Sequence, residues 1–88
     1  MWEFWRSSKF HKGYEKLDSV LKAKASDAIQ EMGKAKNPLL LGIRKKGKLK
    51  YYWAYELGQE CRILYNLSKG VRQINLHRIC RHEEVYTV

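Results

Sequence analysis

Apolar residues return at Phe10, Tyr14, Leu17, Val20 or Leu21, Ala25, Ala28 or Ile29, and Met32. Steps of three and four residues place them on one face of a 3.6-residue helix. Lys9, Lys12, Lys16, Lys22, Lys24, Asp27 and Glu31 supply the wet face. Gly13 and the Asp18-Ser19 pair interrupt the stripe, because glycine costs helix entropy and Asp and Ser compete for backbone hydrogen bonds. The pattern predicts one bent helix or two helices packed as a hairpin, the second being the longer. Ser7 or Ser8 suits the N-cap, Gly33 a left-handed residue at the C-terminal end, and Pro38 forbids continuation. Ahead of the helix, Trp2-Glu3-Phe4-Trp5 concentrates aromatic side chains and predicts a strand.

After Pro38 the period changes. Residues 39–47 read as a loop or ragged strand. From Leu49 the chain alternates, with Leu49, Tyr51, Trp53, Tyr55 and Leu57 on one face and Lys50, Tyr52, Ala54 and Glu56 on the other. Gly58-Gln59 turns the chain back. A second strand sets Cys61, Ile63 and Tyr65 against Arg62, Leu64 and Asn66, and Ser68-Lys69-Gly70 makes a tight turn with Gly70 able to take positive φ. A third strand runs from Val71 to about Cys80, and a short closing strand carries Val85-Tyr86-Thr87. Helix followed by runs of strand, without βαβ alternation, indicates an α+β fold. The layout expected is β-α-α-β-β-β, an N-terminal strand and helical hairpin packed on a curved antiparallel sheet.

Composition narrows the class. At 88 residues the chain holds one domain, 1–88. Its 44% apolar and 12% aromatic content, with one proline and six glycines, excludes collagen-like and proline-rich fibres and argues against disorder. The longest apolar run, Leu39-Leu40-Leu41, reaches Ile43 only through Gly42, too short for a transmembrane helix or a signal core. Cytosol is the expected address, with no membrane partner. Eighteen Lys and Arg against nine Asp and Glu give a net charge of +9, spread over both halves of the chain. A folded basic domain meets a polyanion, most commonly nucleic acid, with an acidic protein or a membrane surface as weaker competitors.

Two constellations carry candidate chemistry. In Arg44-Lys45-Lys46-Gly47-Lys48-Leu49-Lys50, five cations stand beside the aromatic run Tyr51-Tyr52-Trp53. Cations fix phosphates while aromatic faces stack bases, so Arg44, Lys45, Lys46, Lys48 and Lys50, with Arg72 and Arg78, are candidate RNA-binding residues. The plain alternative is a solubilised sheet edge. The second constellation is the stretch His77 to Tyr86 with Arg62 on the preceding strand. Two guanidiniums plus a histidine or tyrosine meet the needs of metal-free phosphodiester cleavage: proton withdrawal from the 2′-hydroxyl, protonation of the leaving oxygen, and fixed charge on the phosphorane. The candidates are Arg62, Arg81, His82 and Tyr86; the alternative is a surface strand on which Arg81 pairs with Glu84 in solvent. Cys61, His77, Cys80 and His82 lack metal-ligand spacing, so neither metal nor cofactor is expected. Two cysteines make no disulfide scaffold.

Residues 60–67, Glu-Cys-Arg-Ile-Leu-Tyr-Asn-Leu, resemble the "yRvvY" strand of the RelE/ParE toxin superfamily. Residues 74–86, Ile-Asn-Leu-His-Arg-Ile-Cys-Arg-His-Glu-Glu-Val-Tyr, resemble its closing segment. Asn37-Pro38 after a long helix, the length and the element order fit as well. The resemblance implies a type II toxin acting as a ribosome-dependent mRNA endonuclease, with ribosome, mRNA and a cognate antitoxin as partners. By position it makes Arg62 the strand arginine, Arg81 or His82 the closing basic residue and Tyr86 the terminal tyrosine. The run from Trp53 to Tyr65 is closer to the YoeB-like branch, which uses an acid and a histidine; Glu56 and Glu60 are the acids at hand. The alternative is a non-catalytic member of the same fold, a ParE-like gyrase inhibitor or an RNA-binding protein.

Overall fold

Both helices begin where a side-chain oxygen meets an orphan backbone N–H. In the computed structural model, which describes residues 2–58 and 61–81, β1 (Glu3–Arg6) leads into α1 (Ser8–Glu15), and α2 (Ser19–Lys34) follows. Ser7 Oγ accepts from the Phe10 N–H at 2.9 Å, and Asp18 Oδ1 accepts from the Leu21 N–H at 2.8 Å. The Asp18-Ser19 interruption is therefore the start of the second, longer helix, since a cap oxygen satisfies a donor that the helix cannot. Gly33 departs from expectation. It stays helical and buried, and a Cβ there would stand 3.3 Å from the Phe4 ring, so its role is close packing rather than a left-handed cap. Gly13 has a similar use: a Cβ would collide with the Ile79 carbonyl, so its lack of side chain seats α1 directly on the sheet.

Beyond α2, Pro38–Leu41 forms a 3-10 turn capped by Asn37, with the Leu39 N–H donating to Asn37 Oδ1 at 3.1 Å. The strands that follow are β2 (Ile43–Arg44), β3 (Trp53–Glu56), β4 (Cys61–Leu67) and β5 (Gln73–Arg81). The strand expected from Leu49 is shorter than its alternation suggests. Gly47 takes φ +67°, Gly47–Leu49 winds into a 3-10 turn, and the Tyr52 N–H donates to the Leu49 carbonyl at 2.9 Å, so pairing starts only at Trp53. Gly70 has the positive φ expected of it, +77°. The closing strand expected at Val85-Tyr86-Thr87 lies outside the described residues.

The sheet order is β1-β5-β4-β3-β2. β2 to β5 pair antiparallel, as expected, and β1 adds to β5 in parallel, from Glu3 opposite Gln73 to Arg6 opposite Leu76. A parallel neighbour needs a long crossover, which the helices and the intervening strands supply. The architecture is α+β, two helices packed on a five-stranded mixed sheet. On the helix side, Ile63, Tyr65, Ile74, Leu76 and Ile79 pack with Phe10, Ala25, Ala28 and Met32, all nearly inaccessible to water. Each fully buried large apolar side chain contributes about 1.5–3 kcal/mol. The ladder between β4 and β5 slips once: Leu64 faces Arg78, Tyr65 faces Leu76, and His77 is the extra residue. That bulge exchanges even for odd positions on the core side of β5, so Ile74 and Leu76 precede it and Ile79 follows it. Among the described residues no helix is long and apolar enough to cross a membrane.

Candidate nucleic-acid interface

Cross-strand partners share a face, so the register defines what the sheet shows on the side away from the helices. Across it run Glu56 opposite Arg62, Ala54 opposite Leu64, Leu64 opposite Arg78, and Asn66 opposite Asn75, which in turn lies opposite Trp5. Arg62 and Arg78 are thus diagonal neighbours on one face. Arg81 pairs with Cys61 and Cys80 with Arg62, one register step apart. His82 and Tyr86 lie outside the described residues.

Arg62 sits near the start of β4, and its Nη2 lies 2.9 Å from Glu56 Oε1 on β3. The arginine is largely buried and the glutamate half-exposed. A guanidinium held between two paired strands keeps one geometry, as charge stabilisation requires. Glu56 supplies a carboxylate beside it.

The opposite end of the same face is a polar and aromatic strip. Asn75 Nδ2 donates to Asn66 Oδ1 at 3.0 Å and to Ser68 Oγ at 3.1 Å, and Gln73 Nε2 donates to Asn75 Oδ1 at 2.8 Å. Asn66 Nδ2 donates to the Tyr51 carbonyl at 3.3 Å, which turns Asn66 Oδ1 toward His77, 3.0 Å from its Nε2. An oxygen can only accept, so His77 Nε2 carries the proton and Nδ1 keeps its lone pair. Burial pushes the His77 pKa below the ordinary histidine value, which favours this neutral form. The His77 ring lies 4.9 Å from the Tyr52 ring, edge to face, and 5.5 Å from the Trp5 ring. Ser7 Oγ also donates to the His77 carbonyl at 2.6 Å, tying the bulge to the cap of α1. The strand rise of about 3.4 Å per residue puts this strip roughly 13 Å from Arg62 along β4.

The basic run is divided by the structure. Arg44 Nε donates to the Lys50 carbonyl at 3.0 Å, and its guanidinium covers the Trp53 ring at 5.5 Å, on the helix side of the sheet. The Lys45 N–H pairs with the Tyr52 carbonyl at 2.9 Å. Lys46, Lys48 and Lys50 are exposed, with Lys50 Nζ 5.2 Å from the Tyr51 ring. Arg72 stands at the β1 edge, its guanidinium 4.6 Å from the Trp2 ring. Of the aromatic run, Trp53 packs against the core and Tyr52 alone joins the strip beside His77. Cys61 is buried on the helix side, where burial raises its thiol pKa, while His77 belongs to the other face, so the two do not meet.

Trp5, Tyr52 and His77 are the residues that sequence reasoning passed over as a group. Alternation from Trp53 already separates Tyr52 from the core, and Trp5 was legible as a strand residue. For His77, whose position depends on a bulge, the signal is the change of apolar parity from Ile74 and Leu76 to Ile79.

Over residues 4–88 the chain matches the family model described as "ParE-like toxin of type II bacterial toxin-antitoxin system". Among solved structures it is similar to a YoeB/ParE toxin from Agrobacterium tumefaciens, with TM-score 0.79 and 21% identity over 91% of this chain and 98% of that one. It is similar also to the toxin–antitoxin complex RelBE2 from Mycobacterium tuberculosis, with TM-score 0.73 and 16% identity over 92% and 98% of the two chains. The YoeB-YefM complex from Staphylococcus aureus gives TM-score 0.73 and 17% identity over 93% and 98%. No curated protein matches the chain.

Proposed function

The chain belongs to the ParE-like toxins of type II bacterial toxin–antitoxin systems, and from that premise we propose that it acts on RNA, as a ribosome-dependent mRNA endonuclease. The observation that supports this reading is the Arg62–Glu56 pair at 2.9 Å, on a sheet face that also carries Arg78. A carboxylate beside a guanidinium is an acid–base arrangement for phosphodiester cleavage without a metal. Glu56 takes the 2′-hydroxyl proton, the 2′-oxygen attacks phosphorus, and Arg62 stabilises the phosphorane. Arg81 orients the phosphate, and His82 protonates the leaving 5′-oxygen with Tyr86 assisting, giving a 2′,3′-cyclic phosphate and a free 5′-hydroxyl. Lys46, Lys48 and Lys50 hold flanking phosphates, with Lys45, Arg72 and Arg78 at the margins. A cognate antitoxin, as the toxin–antitoxin complex RelBE2 has, neutralises the toxin by laying an acidic segment over the same basic surface, since charge complementarity selects such a partner. The cytosol is where these partners meet.

The second reading is a toxin that binds without cleaving, with gyrase as the target. The family match, to ParE-like toxins over residues 4–88, favours it. A translation extract with a defined mRNA and a primer-extension readout separates the two. Codon-phased cuts support the nuclease, and Arg62→Ala then slows them roughly 10²–10³-fold, the effect of removing one fixed transition-state charge. Intact mRNA with trapped gyrase–DNA complexes overturns it.

A further inference from the structure

We propose that the strip Trp5–His77–Tyr52 is a docking subsite for one unstacked base of single-stranded RNA, separate from the Arg62 end of the same face. The inference rests on the RNA reading above and names where the strand is gripped. Three rings from different parts of the sheet converge there: Trp5 from β1, His77 from β5 and Tyr52 from the approach to β3. The convergence comes with the slip that returns Ile79 to the core. It is made by a bulge, and bulges re-aim side chains at the cost of ladder pairing. The bulge is fixed from two sides, by Ser7 at the His77 carbonyl and by Asn66 at the ring.

The chemistry of the strip suits a base rather than a phosphate. Trp5 leaves 47% of its surface in water although it sits within a paired strand. An exposed indole beside two further rings is a platform on which any base can stack. The amides of Asn66, Asn75 and Gln73 form the adjoining floor, and His77 Nδ1 offers an acceptor held in one tautomer by the Asn66 contact. These strip residues are all uncharged, whereas Lys46, Lys48 and Lys50 stand on the segment that leads into Tyr52. Their charge, within a chain of net +9, selects a polyanion as the occupant over a neutral peptide. The distance from the strip to Arg62 is the length of a short run of nucleotides, so one strand can hold a base here and present a phosphate there.

The test is binding of a fluorescein-labelled ten-nucleotide single-stranded RNA, measured by anisotropy against salt, with the wild type and the Trp5→Leu, Tyr52→Leu and Trp5→Phe variants. A second oligonucleotide of the same length is fully abasic. Trp5→Leu and Tyr52→Leu should each weaken binding roughly 5- to 100-fold, the cost of removing one base stack, with the salt slope unchanged. Trp5→Phe should keep most of the affinity. The abasic strand should bind wild type and Trp5→Leu alike, because it has no base to stack. Equal affinity of wild type and Trp5→Leu for the normal RNA overturns the subsite and leaves the RNA reading standing. Absence of RNA binding by the folded wild type overturns the subsite, and the nuclease reading is then decided by the primer-extension assay alone. Thermal unfolding of each variant checks folding, and a loss in Trp5→Leu that Trp5→Phe restores is a loss of stacking.

Discussion

Gly42 stands at φ −123° and ψ 178°, a conformation open to every residue, so its small size and not its freedom is what the fold uses. A Cβ added there would lie 2.5 Å from Tyr65 Oη, 3.0 Å from Tyr65 Cε1 and 3.0 Å from the Ala54 carbonyl oxygen. Tyr65 is fully buried, and its hydroxyl donates to the Pro38 carbonyl at 2.7 Å, joining β4 to the turn that follows α2. Burial raises its pKa further above the ordinary tyrosine value, with Tyr55 adding to the shift, so the hydroxyl keeps its proton to donate. Tyr65→Phe should cost about 1–2 kcal/mol, because it removes a buried hydrogen bond. Gly42→Ala should cost about 1–3 kcal/mol through overpacking. It also displaces the hydroxyl from its acceptor, which adds about 1–2 kcal/mol, while lower unfolded-state entropy returns about 0.4–1 kcal/mol. The two substitutions break the same bond. In the double variant that loss is counted once and the tightest contact is gone, so the sum of the single costs should exceed the double by about 1.5–2 kcal/mol. Urea unfolding at neutral pH resolves this as a midpoint difference, with a slope of about 1 kcal/mol per molar for a small domain. Costs that add to within about 0.5 kcal/mol would refute the argument.

Two further outcomes are expected. Burial holds the His77 pKa below its unfolded value near 6.5, so the unfolded chain takes up the proton first and the stability present above that value is lost as pH falls through it; the advantage of wild type over His77→Gln in urea melts should shrink from pH 8 to pH 5, and a constant gap would remove His77 as the cause. Lys46→Ala with Lys48→Ala should lower the salt slope of single-stranded RNA binding by about 0.7 for each phosphate deprived of its cation; an unchanged slope would leave these lysines as a solvated edge.

The helical half and the order of elements along the chain were legible because each rests on local chemistry. Ser7 and Asp18 are short oxygens placed before apolar-periodic runs, and Ser68-Lys69-Gly70 is a turn wherever it is put. Trp53 and Tyr55 lie on the core side as alternation demands. The start of β3 was hidden because Leu49 and Tyr51 continue that alternation while Gly47 winds the backbone away from it. Gly33 and Gly13 looked like helix weaknesses, and their value appears only against Phe4 and Ile79, which are distant in sequence. The parallel placement of β1 beside β5 is likewise a long-range pairing without a local mark. Arg62 was found as a site candidate from its strand, but its partner Glu56 is fixed by register across the β3–β4 turn. His77 needed a one-residue slip, marked in the sequence only by the change from even to odd apolar positions between Leu76 and Ile79.

The sheet face therefore divides into two ends with different energetics, and that division bears on the choice between cutting and binding. At the Arg62 end the charge is internally compensated: a largely buried guanidinium faces a half-exposed carboxylate at 2.9 Å. For a binder that relied on this arginine to grip phosphate, Glu56 would be a liability, because its charge repels the ligand and must be desolvated with it. For a nuclease the same carboxylate is useful, because a general base has to stand within reach of the group it deprotonates. Affinity must then come from elsewhere, and the opposite end has the means for it in Trp5, Tyr52, His77 and the exposed lysines. Transition-state stabilisation at one end and strand affinity at the other is an economical arrangement, since tight ground-state binding at the reacting phosphate would not raise the rate. Glu56 is thus the residue whose presence is costly under one reading and required under the other.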